Sequence, residues 1–339
     1  MRAEHPPQRL FLVTYPRTAS NLLLKILALD EQPDTLTNKS GGYYFRPAFL
    51  KTGMTGKPHR PTGHLSRDEA HDLQRVFQAC FEKLEHDSNA AIDQGKQYFV
   101  KEHALWLSNP TNISAALGEQ NAHPESSFRV QQNFSSTSTW SPKNQTVLPD
   151  EALRKWCLVF LIRHPALAFP SYYRAVLDLR DEGYLHESEV QPHLQANMTL
   201  QWTRSLYDWS CEQGSAPLVL DADDVISDYA VVVRLCEMTG LRASRLRLTW
   251  NSVSEEDEGE CSLEIDTKRS LGAIMEKTLS GSTGVVEGKC SVGIDIAIES
   301  EKWKRDFGQE VGESLERSVR TAMPDYEYLR ARRIVSKTI

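Results

Sequence analysis

The stretch LFLVTYPRTASNLLLKIL, residues 10–27, places the tightest limit on what this chain can fold into. Its first five residues are continuously apolar and β-prone, as in a strand buried on both faces of a parallel sheet. After YPRTAS the apolar positions Leu22, Leu23, Ile26, Leu27 and Leu29 return at helical spacing, so a helix starts near Ser20. Strand, short polar loop and helix in that order make the opening of a βαβ unit. The same rhythm returns downstream. CLVFLI (157–162) predicts a second buried strand, followed by RHP and a helix containing SYYRAVLDL; PLVL (217–220) predicts another strand, followed by a helix over 225–239 that ends at Gly240. YFVKEHALWL (98–107) reads as a short strand running into something polar.

Apolar stripes predict further helices over 66–86 (Leu73, Phe77, Cys80, Phe81 and Leu84), over 196–213 (Trp202, Leu206 and Trp209) and over 300–323 (Trp303, Phe307, Val311 and Leu315). The expected fold is α/β: a doubly wound, mainly parallel sheet flanked by helices, in a single domain over 1–339. Loop inserts are expected at 108–149, where FSSTSTWSPKNQT has no periodicity, and at the acidic, Ser-rich 252–262.

A loop between a buried strand and a helix N-terminus collects unpaired N–H groups and the positive end of the helix dipole, which makes it a natural anion site. Arg17 brings a permanent cation, Thr18 and Ser20 bring hydroxyls, and Ala19 leaves room for close backbone approach. The plain alternative is that Thr18 or Ser20 caps the helix and Arg17 pairs on the surface. GxxxxGK[S/T] is absent, which argues against an ordinary nucleotide kinase or ATPase. The net charge of −7 argues against a coat for nucleic acid. No apolar signal core or membrane-length run of about 18 residues is present, so the expectation is a cytoplasmic protein without a membrane partner. Six widely spaced cysteines, with no CxxC, suggest reduced thiols.

YPRTASNLL together with LVFLIRHPALAFPSYYRA resembles the cytosolic sulfotransferases that use 3′-phosphoadenosine 5′-phosphosulfate (PAPS). Their signatures are a YPKSGTTW-like loop and an R-x7-S-Y-Y segment, the second of which runs here from Arg163 to Ser171. The resemblance implies a P-loop, nucleotide-binding sulfotransferase fold and PAPS as co-substrate, with no metal. Arg17, Thr18, Ala19, Ser20 and Asn21 would hold the 5′-phosphosulfate, and Arg163 and Ser171 the 3′-phosphate. FVKEHALWL is similar to the family's K-T-H-L-P strand end, which implies Lys101 beside the transferring group and His103 as general base. LVLDADDVISDY and SEKWKRDFG resemble two further family segments, so the likeness spans about residues 10–325. The implied reaction transfers a sulfuryl group to a hydroxyl of a small organic acceptor, whose pocket the aromatics of GGYYFRPAF and Trp106 could wall.

The departures define a second reading. Arg17 stands for the usual lysine, Asn21 for a threonine, and Pro170 precedes Ser171. Glu102 replaces a threonine next to His103, where a carboxylate either raises the histidine pKa or acts as the base itself. The R-K-G triplet that grips the 3′-phosphate is missing, with Lys268, Arg269 and Lys289 as candidate substitutes. These changes fit a protein of the same fold doing other acid/base or elimination chemistry, or a non-catalytic nucleotide-binding module.

Overall fold

The computed structural model describes residues 8–39, 41–57, 60–119, 123–132, 138–250, 274, 284 and 290–336. Five strands form one all-parallel sheet: β1 (Arg9–Thr14), β2 (Thr35–Leu36), β3 (Gln97–His103), β4 (Cys157–Ile162) and β5 (Leu218–Asp221), in the order β2, β3, β1, β4, β5. The expected α/β architecture is therefore present. β1 lies at the centre, and alternation along it fills two layers. Leu10 and Leu12 pack with Leu23, Ile26 and Leu27 of helix Ser20–Leu27, while Phe11 and Val13 face Leu73, Phe77 and Phe81 of helix Arg67–Asp93. All four β1 side chains are almost fully buried, each contributing roughly 1.5–3 kcal/mol.

Parallel pairing aligns the carboxyl ends. Thr14 is level with His103 across β1 and β3, and Ile162 with Asp221 across β4 and β5. The chain leaves β1 toward β2 on one side and later crosses β1 to reach β4 on the other. That reversal opens a crevice above β1, where α/β sheets characteristically bind ligands.

Several boundaries differ from the sequence expectation. The helix expected over 196–213 begins at Gln201, because the preceding helix Glu187–Asn197 ends in a bend through Met198. The one expected over 225–239 is two helices, Ala222–Ser227 and Tyr229–Thr239; Asp228 separates them and caps the second through the Ala230 N–H, and Gly240 ends it. The C-terminal helix is also two, Ile296–Phe307 and Gln309–Arg330, parted at Gly308. Periodicity alone runs through such breaks because the apolar stripe continues across them. The 108–149 segment is not structureless: it holds helix Pro110–Ala116 and buries Phe128, Val130, Val147 and Leu148. The 252–262 insert, Cys261, Lys268, Arg269 and Lys289 lie outside the described residues. The five described cysteines are free thiols.

Candidate active site

The loop after β1 carries no side-chain cap. Helix Ser20–Leu27 has Ala19 as its N-cap residue with no side-chain hydrogen bond, and the Thr18 hydroxyl donates instead to the Tyr15 carbonyl at 3.1 Å. Neither Thr18 nor Ser20 therefore caps this helix. Arg17 (φ 68°) and Ala19 (φ 62°) both sit in the left-handed region. Each costs about 1–2 kcal/mol for a residue bearing a Cβ. Alternating φ sign along 17–19 is the backbone form that gathers successive N–H groups into an anion-binding concavity.

Two segments almost 150 residues apart meet at this loop. Arg17 Nε donates to Ser171 Oγ at 3.0 Å, and Arg163 donates to the Arg17 carbonyl at 2.9 Å. Tyr15 locks the junction: its hydroxyl accepts from the Arg163 N–H at 2.9 Å and donates to the Arg163 carbonyl. Ser171 lies in helix Pro165–Asp181, which runs unbroken through Pro170 and is capped by the His164 ring. Burial holds the pKa of both guanidiniums below the usual arginine value, and the Arg163 charge lowers that of Arg17 further. Two desolvated cations this close attract an anion. Asp221, which ends β5, and Asp223, in the helix after it, act on Arg163 in the opposite sense.

At the end of β3, Lys101, Glu102 and His103 divide between the two faces. Lys101 Nζ donates to Asn21 Oδ1 beside the loop and lies 4.3 Å from the Tyr43 ring centre. His103 follows on the same face, 5.3 Å from the Tyr43 ring and 4.7 Å from Trp106. Glu102 points the other way, and its Oε1 accepts from the Phe45 N–H at 3.0 Å. The Thr14 hydroxyl donates to the Glu102 carbonyl at 3.1 Å and meets His103 Nδ1 at 2.8 Å. A hydroxyl has one proton: when it goes to the Glu102 carbonyl, Nδ1–H donates to Thr14 and Nε2 keeps its lone pair. Burial, reinforced by Lys101, pushes the His103 pKa down to about 3; burial pushes the Glu102 carboxyl up to about 8.

A cavity of about 460 Å³ opens beyond Trp106. Phe49, which stacks on Trp106 at 4.7 Å, lines it with Leu73, Phe77, Ile113 and His193. Both His193 nitrogens are engaged: Nε2 with the Tyr172 hydroxyl at 2.5 Å, and Nδ1 with the Gly53 carbonyl at 3.0 Å. The apolar wall is flanked by polar groups, with the Lys51–Asp72 and Arg60–Glu69 ion pairs among the lining residues. Phe77, expected in the core, serves both the core and this wall.

Over 343 residues, 97% of this chain and 97% of the relative, the sequence is 39% identical to "Sulfotransferase ppzF" of Metarhizium majus (strain ARSEF 297). A protein of the same name from Metarhizium rileyi (strain RCEF 4871) is 39% identical over 345 residues, 97% of this chain and 98% of its own. The chain belongs to the sulfotransferases. No family model and no solved structure matches it. Among the described residues of this sulfotransferase, no helix is long and apolar enough to cross a membrane.

Thr14, Tyr15 and His193 were not singled out by sequence reading, and Tyr43 only as one aromatic of GGYYFRPAF. A threonine closing an apolar strand or a tyrosine opening a loop carries no local signal of its partner on another element.

The buried titratable groups give the sulfotransferase a pH signature. Glu102 keeps its proton up to about pH 8 when folded, against an ordinary 4.5. Over that window the unfolded chain has lost a proton the native state holds, so stability falls as pH rises. His103, depressed to about 3 from 6.5, acts in the opposite sense and costs stability as pH falls below 6.5. Glu102→Gln is therefore expected to keep more of its stability than the parent between pH 6.5 and 8, where the histidine contributes little. Urea midpoints at the two pH values read this directly; a parallel decline in both proteins would show that the carboxyl ionises normally.

Proposed function

We propose that this sulfotransferase takes its sulfuryl group from PAPS and delivers it to a hydroxyl of a small acceptor held in the cavity beside Trp106. The observation that carries this reading is the junction of Arg17, Ser171 and Arg163 at the uncapped start of helix Ser20–Leu27, one strand away from Lys101 and His103. When bound, PAPS supplies an activated sulfuryl group on a phosphate leaving group. Arg17, the loop N–H groups and Lys101 would neutralise charge on the sulfuryl oxygens and on the departing 5′-phosphate, as positioned donors do in phosphoryl transfer. Arg163 and Ser171 would hold the 3′-phosphate.

His103 Nε2 is the base in this account: it takes the acceptor's hydroxyl proton as the acceptor oxygen bonds to sulfur and the bond to the phosphate breaks. Thr14 serves by fixing the tautomer. Burial is the larger cause of the depressed His103 pKa, and the Lys101 charge adds to it. An anion beside Lys101 offsets that charge and raises the basicity of His103 when the donor is in place.

A second reading is favoured by Asp221 and Asp223 near Arg163 and by the missing R-K-G triplet, both of which weaken a site for a dianionic 3′-phosphate. In it the fold is kept but PAPS is not used, and the same groups serve other acid/base or elimination chemistry. Thermal unfolding separates the two. With 3′-phosphoadenosine 5′-phosphate at 100 times its Kd, the PAPS reading expects about 2.7 kcal/mol of stabilisation, a rise in Tm on the order of 4 °C. No rise at millimolar nucleotide would favour the second reading.

A further inference from the structure

Glu102 stands between the two residues assigned to the chemistry but faces away from them, into the layer that holds Phe45 and Cys80. What it touches leads back to the site. The Gly41–Phe45 segment runs along the edge of β3 that the two-residue β2 leaves open. Lys101 N–H donates to the Gly41 carbonyl at 3.1 Å, and Tyr43 N–H donates to the Lys101 carbonyl at 2.7 Å. Phe45 N–H, directed into the buried layer, finds the Glu102 carboxyl at 3.0 Å. The approach is so close that a Cβ on Gly42 would stand 2.1 Å from the Lys101 carbonyl oxygen. Tyr43 is held at φ 64°, a left-handed conformation that a bulky side chain adopts only when its surroundings impose it. The result is a tyrosine ring laid against Lys101, His103 and Trp106 together.

We propose that Glu102 is a positioning residue whose buried carboxyl clamps the Gly41–Phe45 segment to β3 and thereby holds the Tyr43 ring over Lys101 and His103. The segment crosses the strand from one face to the other, with Tyr43 on the side of Lys101 and Phe45 on the side of Glu102. Anchoring the far end fixes the near one. An apolar residue at 102 would fill the same space and leave the Phe45 N–H buried without its acceptor, so the segment would gain by peeling off toward water. The importance of the clamp rests on the reading of Lys101 and His103 as the reacting pair. Its physical content does not, because it can be observed without any nucleotide or acceptor.

Glu102→Gln and Glu102→Met provide the test in the full-length protein. Glutamine keeps an oxygen for Phe45, whereas methionine keeps the length and volume without it. Hydrogen exchange over residues 41–46 and carbethoxylation of His103 by diethyl pyrocarbonate read the segment and the cover over the histidine. Glu102→Gln should match the parent within about twofold in both, and Glu102→Met should exchange and react about tenfold faster, with β1 and β4 amides unchanged. Gly42→Ala, which pushes the segment off β3 with Glu102 in place, should reproduce the Met result and covers the case in which Glu102→Met does not fold. Parental protection in Glu102→Met or in Gly42→Ala, or a Gln variant as open as the Met variant, would overturn the proposal. Loss of nucleotide binding in the parent would instead count against the PAPS reading and leave these arms intact.

Discussion

His103→Ala is expected to lower turnover by about 10²- to 10⁴-fold, the range of a positioned general base. Affinity for 3′-phosphoadenosine 5′-phosphate should stay within a few-fold, because the imidazole addresses the acceptor and makes no contact assigned to the adenosine phosphates. The geometry gives the expectation its direction. With the Thr14 hydroxyl donating to the Glu102 carbonyl, it accepts from Nδ1–H and leaves the Nε2 lone pair for the acceptor, and Lys101 lies on the same face of β3. Glu102, the competing base in the sequence, is on the opposite face with its carboxyl bonded to the Phe45 amide. Glu102→Gln should therefore retain most turnover. Steady-state rates of the two variants on one accepted alcohol or phenol decide between the groups: an inactive Glu102→Gln beside an active His103→Ala would reverse the assignment.

The architecture was legible wherever burial wrote itself into consecutive residues. LFLVT and CLVFLI must be strands covered on both faces, and the structure places them side by side at the centre of a parallel sheet. Alternation along β3 was equally readable, since neighbouring strand residues face opposite ways and Lys101 and His103 had to separate from Glu102. Helix ends were less so. Asp228 and Gly308 interrupt stripes whose apolar spacing continues past them, so only their capping and backbone geometry reveal the breaks.

At the candidate site, the two signature segments could be singled out in advance and the structure brings them together, but the partners of their residues could not be named. Tyr15 binds the backbone of Arg163 across 148 positions, and Thr14 reaches a histidine 89 positions away. Such contacts arise from strand order, which no local pattern encodes. Tyr43 is the clearest case. In sequence it is one aromatic among several; in the fold its strained backbone and the missing side chain of Gly42 bring it onto Lys101 and His103.

Arg163→Ala should produce the largest effect on ligand affinity. Arg163 directly follows β4 beside the loop, tied to the Arg17 carbonyl and oriented through its own backbone by Tyr15. If it grips a dianionic 3′-phosphate, removing it forfeits charge-assisted hydrogen bonds of about 1.5–3 kcal/mol each, so two such bonds amount to about 100-fold or more in Kd. Adenosine 5′-phosphosulfate lacks that phosphate and should lose only the small part that Arg163 contributes by supporting the loop. Titration calorimetry of the parent and of Arg163→Ala with each nucleotide tests whether this site holds the 3′-phosphate. The account predicts saturable binding of 3′-phosphoadenosine 5′-phosphate to the parent, weakened about 100-fold by the substitution, with adenosine 5′-phosphosulfate changed only a few-fold. No binding to the parent, or equal weakening of both nucleotides, would contradict it.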